Sequence, residues 1–225
     1  LNNFFPSAPK RVGLILAGNI PLVGLHDVIC VLASGHIAVT KMSGKDSSVY
    51  PVLKRILEEY DPSFAQRWIL TEGETLKELD AIIATGSDNS SRYFEYYFAK
   101  YPHIIRKNRN SIAILNGNET DQQLRDLSHD IFLYFGLGCR NISKIFVWQD
   151  FEPDFLYRNI LDYAYVANHN KYANNYDYQR AVFLVNKIQF YDNGFLLLKE
   201  DTSIPSPVGC LYFERYNEPG ELNSL

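Results

Sequence analysis

Between Arg11 and Lys100, short apolar runs alternate with amphipathic ones, and this alternation limits the fold more than any other feature of the chain. Arg11-Val-Gly-Leu-Ile-Leu-Ala17 is too short for a helix and apolar on both faces, the pattern of a strand buried inside a parallel sheet. It ends in a polar turn, Gly18-Asn19-Ile20-Pro21. Residues 22 to 35 read as a helix and Ile37 to Lys41 as a second strand. Ser47 to Tyr60 carries Val49, Val52, Leu53, Ile56, Leu57 and Tyr60 at helical spacing. Trp68 to Thr71 and Ala81 to Ala84 read as strands, with a short polar helix or turn from Glu74 to Leu79 between them. Asp88 to Lys100 is helical again. Such an order builds βαβ units and a mostly parallel sheet, hence an α/β fold.

Ligands of such sheets bind at the carboxyl ends of the strands. Three loops there are chemically marked: Ala17 to Pro21, Lys41-Met-Ser-Gly-Lys-Asp46, and Thr85-Gly-Ser-Asp-Asn-Ser-Ser-Arg92. The third opens a helix. Its small polar residues suit either a phosphate, held by backbone N–H groups, or an ordinary N-capped turn. The glycine fingerprint G-x-G-x-x-G of dinucleotide turns is absent.

In the second half, Ser111 to Leu115 reads as a strand and Asp121 to Phe135 as a helix that leads to Gly136-Leu-Gly-Cys139. The glycines allow a sharp turn and close approach of a ligand. A β-type run, Ile145 to Val147, follows. Cys139 is therefore either a thiol placed for attack, with Arg140 and Lys144 as local cations, or a buried structural cysteine. Pro153 to Ala167 reads as a helix, His169 to Tyr178 as a loop or helix start, and Gly194 to Lys199 and Val208 to Phe213 as strands.

With 225 residues, 46% of them hydrophobic, the chain can bury a substantial core in one large domain or two small ones. A net charge of −4 argues against nucleic acid as the main partner. Cys30, Cys139 and Cys210 form no disulfide framework or metal knuckle, which favours a reducing cytoplasm. Cys30 and Cys210 fall in apolar patterns and are expected in the core. The histidines lack ligand spacing, so no metal is expected. His169 either assists the thiol or is structural. The longest apolar region is broken by Asn19, Pro21, His26 and Asp27, which excludes a membrane span there. The start at Leu1 reads as a fragment or processed product.

Taken in order, the Asn-x-Pro turn, Lys-x-Ser, Thr-Gly-Ser and Gly-x-x-Cys resemble the aldehyde dehydrogenase superfamily. Ala17 to Gly24, Arg106 to Ser111, Gly136 to Lys144 and His169 to Tyr178 resemble its acyl-CoA reductase (LuxC-type) branch. This implies an aldehyde dehydrogenase-like fold: a Rossmann-type cofactor domain, about 1–109, and a smaller α/β catalytic domain, about 110–225, truncated at its C-terminus. The implied reaction takes a fatty acyl-CoA and NADPH to an aldehyde and free CoA. Cys139 would be the nucleophile, and Asn19 an oxyanion donor beside the Cys139 N–H. Thr85, Gly86 and Ser87 would carry the cofactor pyrophosphate and Lys41 the adenosine ribose. Glu200, or Asp201 in the other register, would meet the nicotinamide ribose. The implied partners are an acyl-CoA substrate and a homo-oligomer or aldehyde-accepting enzyme.

Two departures from the superfamily pattern sharpen this. Hydrolytic members carry a Glu-Leu-Gly-Gly base where this chain reads Arg106-Lys-Asn-Arg109. Loss of that carboxylate favours acyl transfer over acid formation. NAD-preferring members place an acid three residues beyond the ribose lysine, where this chain has Gly44 followed by Lys45. Lys45 either attracts a 2′-phosphate, which favours NADPH over NAD, or faces solvent. The alternatives are NAD-dependent aldehyde oxidation and a non-catalytic cofactor-binding module.

Overall fold

The computed structural model describes residue 6 and residues 8–71, 76–86, 88–107 and 109–224, and it divides into two compact units, Leu1–Asn108 and Arg109–Leu225. The first holds five strands: β1 (Arg11–Ile15), β2 (Ile37–Lys41), β3 (Trp68–Thr71), β4 (Ala81–Thr85) and β5 (His103–Arg106). They lie in the order β3-β2-β1-β4-β5, and every pairing is parallel. Among the described residues four helices lie between them: α1 (Leu25–Ala33), α2 (Val49–Tyr60), α3 (Phe64–Arg67) and α4 (Asp88–Phe98). Central strands are apolar on both faces because helices cover both. Leu14, Ala38 and Trp68 are fully buried, and Trp68 Nε1 satisfies itself by donating to Thr40 Oγ1 at 3.1 Å.

The second unit also has five strands: β6 (Ser111–Ile114), β7 (Ile142–Trp148), β8 (Tyr191–Asp192), β9 (Leu197–Glu200) and β10 (Cys210–Tyr216). Their order is β6-β7-β10-β9-β8, parallel except where β8 meets β9. Helix α5 (Asp121–Phe132) starts at a capping box in which Thr120 Oγ1 accepts the Gln123 N–H and Gln123 Oε1 accepts the Thr120 N–H. Helices α6 (Pro153–Tyr157) and α7 (Asn170–Val185) follow, with 3-10 turns at Leu133–Gly136, Leu161–Asn168 and Pro219–Ser224.

Several elements differ from the sequence reading. Strand β5 has no counterpart in it, because an edge strand of four residues with two exposed side chains gives little apolar signal. The helix expected to run to Phe135 stops at Phe132, where Tyr134 and Phe135 turn left-handed at φ 52° and 58°. The helix expected over Pro153 to Ala167 is two short pieces, α6 and a 3-10 turn. The stretch from His169 to Tyr178 is the start of the sixteen-residue α7, which has no strong apolar stripe to announce it. The helix or turn expected from Glu74 to Leu79 falls partly outside the described residues.

Candidate active site

In the first sheet the chain runs outward from β1 through β2 to β3, then returns to place β4 on the other side of β1. This reversal makes the carboxyl ends of β1 and β4 a topological switch point, where open α/β sheets bind ligands. The turn after β1 presents Asn19, which is exposed. Leu16 N–H bonds to Lys41 O at 3.2 Å, and Leu22 N–H bonds to Asp46 Oδ2 at 2.7 Å, so the turns after β1 and β2 are held together. Lys41 is half-buried at the end of β2, and Lys45 is exposed in the turn beyond it. Thr85 ends β4, and Gly86 N–H bonds to Arg106 O at 3.2 Å. A Cβ on Gly86 would stand 2.9 Å from both Ser90 Cβ and Phe94 Cε2, so helix α4 approaches this turn as only glycine permits. Asn19, Lys41, Lys45, Thr85 and Gly86 therefore share one edge of one sheet. Ser87 lies outside the described residues.

In the second unit the chain leaves α5 through three consecutive left-handed residues, Tyr134, Phe135 and Gly136 (φ 70°). It then forms a tight turn, Gly138-Cys139-Arg140-Asn141, closed by the Asn141 N–H on Gly138 O at 3.0 Å. Cys139 stands at the corner of this turn and is exposed, which excludes the buried structural thiol. Among the described residues nothing accepts the Cys139 N–H. Beneath the turn is a cavity of about 60 Å³ bounded by Phe135, Gly138, Asn141, Tyr172 and Cys210. Beside it a cleft of about 690 Å³ opens between α5 and the 161–168 turn, walled by Phe132, Leu133, Phe135 and Tyr163 and rimmed by Arg125, Asp126 and Asp162.

The other candidates separate clearly. Cys210 is buried, and burial pushes its thiol up to about 12, so it stays neutral. Cys30, expected in the core, is instead exposed on α1 with its Sγ 3.7 Å from His26 Nε2, beside an open apolar hollow lined by Val12, Ile82, Ile83 and Ile104. Lys144, expected as a cation near the thiol, is buried; its ammonium donates to Thr202 O at 2.9 Å and to the Glu214 carboxylate. It falls in the run Lys144 to Val147, where β7 is buried on both faces. His169 is exposed at the start of α7 and stacks on Phe135 with centroids 4.0 Å apart. Asp201 accepts from Lys199 and from the Ser203 N–H, which holds its carboxyl down near about 2. Glu200 is more open, at 58% exposure and 3.7 Å from Arg215 Nε, so it is the freer acid of the two. Cys139 precedes β7, and Glu200 lies two strands from β7, on the row of Phe213 and Ile145.

Two residues that sequence reasoning gave no role hold these loops, Asp46 and Asn141. Both are buried polar side chains inside polar loop motifs, and only their burial sets them apart. Among the described residues no group of three side chains could hold a metal ion, and no helix is long and apolar enough to cross a membrane.

No protein-family model and no curated protein matches the chain. Solved structures do. An NAD-dependent aldehyde dehydrogenase from Sinorhizobium meliloti aligns over 96% of this chain with a TM-score of 0.77 at 13% identity. An NAD-dependent benzaldehyde dehydrogenase from Corynebacterium glutamicum aligns over 96% with a TM-score of 0.74 at 14% identity. The fold is that of the aldehyde dehydrogenases. A Mycobacterium tuberculosis aldehyde dehydrogenase complexed with NAD+ aligns over 95% with a TM-score of 0.71 at 15% identity. The chain spans about half the length of these aldehyde dehydrogenases, from 52% to 56%. At such low identity the likeness covers the aldehyde dehydrogenase-like fold, with its Rossmann-type sheet and second α/β unit, and not the chemistry.

Proposed function

We propose that the chain carries the cofactor-binding and thiol-bearing parts of a fatty acyl-CoA reductase of the cytoplasm. The observation that carries this reading is Cys139, an exposed thiol at the corner of a turn with its own N–H open, in an aldehyde dehydrogenase-like fold. Cys139 as thiolate attacks the thioester carbonyl of acyl-CoA. The bond from that carbonyl to the CoA sulfur breaks, CoA leaves as a thiolate that takes up a proton, and the acyl group stays on Cys139. The Cys139 N–H is the proposed donor to the oxyanion, such a donor being worth about 3 kcal/mol in rate. The apolar side of the neighbouring cleft, at Phe132, Leu133 and Phe135, suits an acyl chain, and its Arg125 side is polar.

The carboxyl edge of the first sheet fits a dinucleotide: the switch point, the close approach at Gly86 and two lysines all favour a pyrophosphate. Thr85, Gly86 and Ser87 would hold the pyrophosphate and Lys41 the adenosine ribose. A side chain on Gly44 would meet nothing within 4 Å, so packing does not forbid an acid there. None is present, Asp46 is turned inward, and the Lys45 ammonium is left to attract a 2′-phosphate. This supports NADPH. When bound, a reduced nicotinamide would supply the hydride for reduction, and Cys139 would be released as thiolate as the aldehyde forms. Residues 106–109 offer no carboxylate base for water, and Arg106 is committed to Asp27 at 2.9 Å.

The test is NADPH oxidation and aldehyde formation with acyl-CoAs of increasing chain length, in the full-length protein and in Cys139→Ala. Turnover lost in the variant, with an acyl adduct on Cys139 of the parent, supports the reading. Acid formed from aldehyde and NAD without CoA would replace it with aldehyde oxidation, the chemistry named for the similar solved structures. Cofactor binding without turnover would replace it with a binding module. A homo-oligomer or an aldehyde-accepting enzyme is the partner this chemistry calls for, because a free aldehyde is reactive.

A further inference from the structure

We infer that Asn141 is the positioning residue for Cys139, an inference that rests on reading Cys139 as the nucleophile. Asn141 is 8% exposed, and its side chain is fully used. Oδ1 accepts the Gly138 N–H at 2.7 Å. Nδ2 donates to Asp130 O and Leu133 O, both at 2.8 Å, and lies 3.4 Å from Ile131 O. The backbone N–H of Asn141 bonds to Gly138 O at 3.0 Å.

Two problems are solved by this one amide. The last carbonyls of a helix have no partner within it, and α5 runs into Tyr134 and Phe135 rather than a glycine cap. Asn141 supplies the missing donors from eight residues beyond Leu133. It also ties both polar groups of Gly138, the residue before the thiol, so the turn is anchored to a rigid helix end. Among the described residues the N–H groups left without an acceptor in this turn are those of Cys139 and Arg140. No other residue type does this. Aspartate could accept from Gly138 but would face three carbonyls with lone pairs, and leucine would leave the carbonyls and the N–H orphaned.

The role makes a split prediction, because acyl transfer from CoA needs the Cys139 N–H in place whereas simple alkylation needs only the thiol. In Asn141→Ala and the nearly isosteric Asn141→Asp, the single-turnover rate of Cys139 acylation by palmitoyl-CoA, read by mass spectrometry, should fall about 100-fold. Alkylation of Cys139 by iodoacetamide should change little. Amide exchange of the Gly138 to Asn141 segment should speed up by about tenfold or more. Equal losses in acylation and alkylation, with a lowered melting temperature, would reduce Asn141 to a general structural residue and overturn the inference. Unchanged exchange and unchanged acylation would overturn it as well. A parent protein that never forms the Cys139 adduct would sink the nucleophile reading itself and Asn141's role toward it, and the exchange data would tell that failure apart from the others.

Discussion

Asp46 Oδ2 accepts the Leu22 N–H at 2.7 Å across twenty-four positions of sequence. Leu22 is left-handed, at φ 58°, and Asp46 is 6% exposed, so a buried carboxylate holds a strained turn. The bond fastens the turn that presents Asn19 to the one that carries Lys45. Tyr50, packed close by, has its hydroxyl pushed up to about 12, by burial first and then by the Asp46 charge.

Replacing this carboxylate should therefore be felt twice. Asp46→Asn keeps the shape and weakens the bond, and should cost about 1–3 kcal/mol in urea unfolding. The same change removes the charge that helps keep the Tyr50 hydroxyl protonated, so ultraviolet titration should show Tyr50 ionising at lower pH than in the parent.

The Arg106 and Asp27 pair makes a second test. Asp27 is nearly buried on α1 and Arg106 about a third exposed, 2.9 Å away. Arg106→Met leaves a buried carboxylate without its cation and should cost about 1–3 kcal/mol, less than a fully buried pair would lose. The double variant Asp27→Leu with Arg106→Met should recover most of the loss, and equilibrium unfolding of all three proteins measures it.

Thiol labelling should rank the cysteines. At neutral pH iodoacetamide should mark Cys139 and Cys30 and leave Cys210 untouched until the chain unfolds, as peptide mass spectrometry would read out. Burial raises the Cys210 thiol to about 12. Below the unfolded value of about 8.5 its contribution to stability is fully present. Above it the native state holds a proton that the unfolded chain gives up, so this contribution is lost as pH climbs toward 12. Cys210→Ala should flatten that part of the alkaline stability profile.

Asp201 has the opposite sign. Its carboxyl is held down to about 2, chiefly by the bond from Lys199. The stability it lends is present above the unfolded value of about 4 and fades as pH falls through about 2. Asp201→Asn should remove that acid-side dependence, seen as a smaller drop in melting temperature between those pH values.

Strands β1, β2, β3 and β4 were readable because buried parallel strands are short, continuous apolar runs, and α2 because its apolar residues recur at helical spacing. α7 and β5 were not, since the helix mixes polar and aromatic residues all round and the edge strand is half exposed. Among the site residues, the glycines and the cysteine of Gly136 to Cys139 marked their own turn. The burial of Lys144 and the exposure of Cys30 carried no such mark, because each depends on what the neighbouring elements cover.

By itself the sequence determined the α/β class, the marked loops at the strand ends, and the thiol on a glycine-bounded turn. These follow from local rules: period, turn chemistry and residue type. Tertiary structure alone decided that Asp46 would hold the Asn19 turn, that Asn141 would clamp the Cys139 turn to the end of α5, and that Cys30 would lie exposed. Those outcomes are set by desolvation and by hydrogen bonds between segments far apart in the chain, and neither quantity exists until the chain has packed.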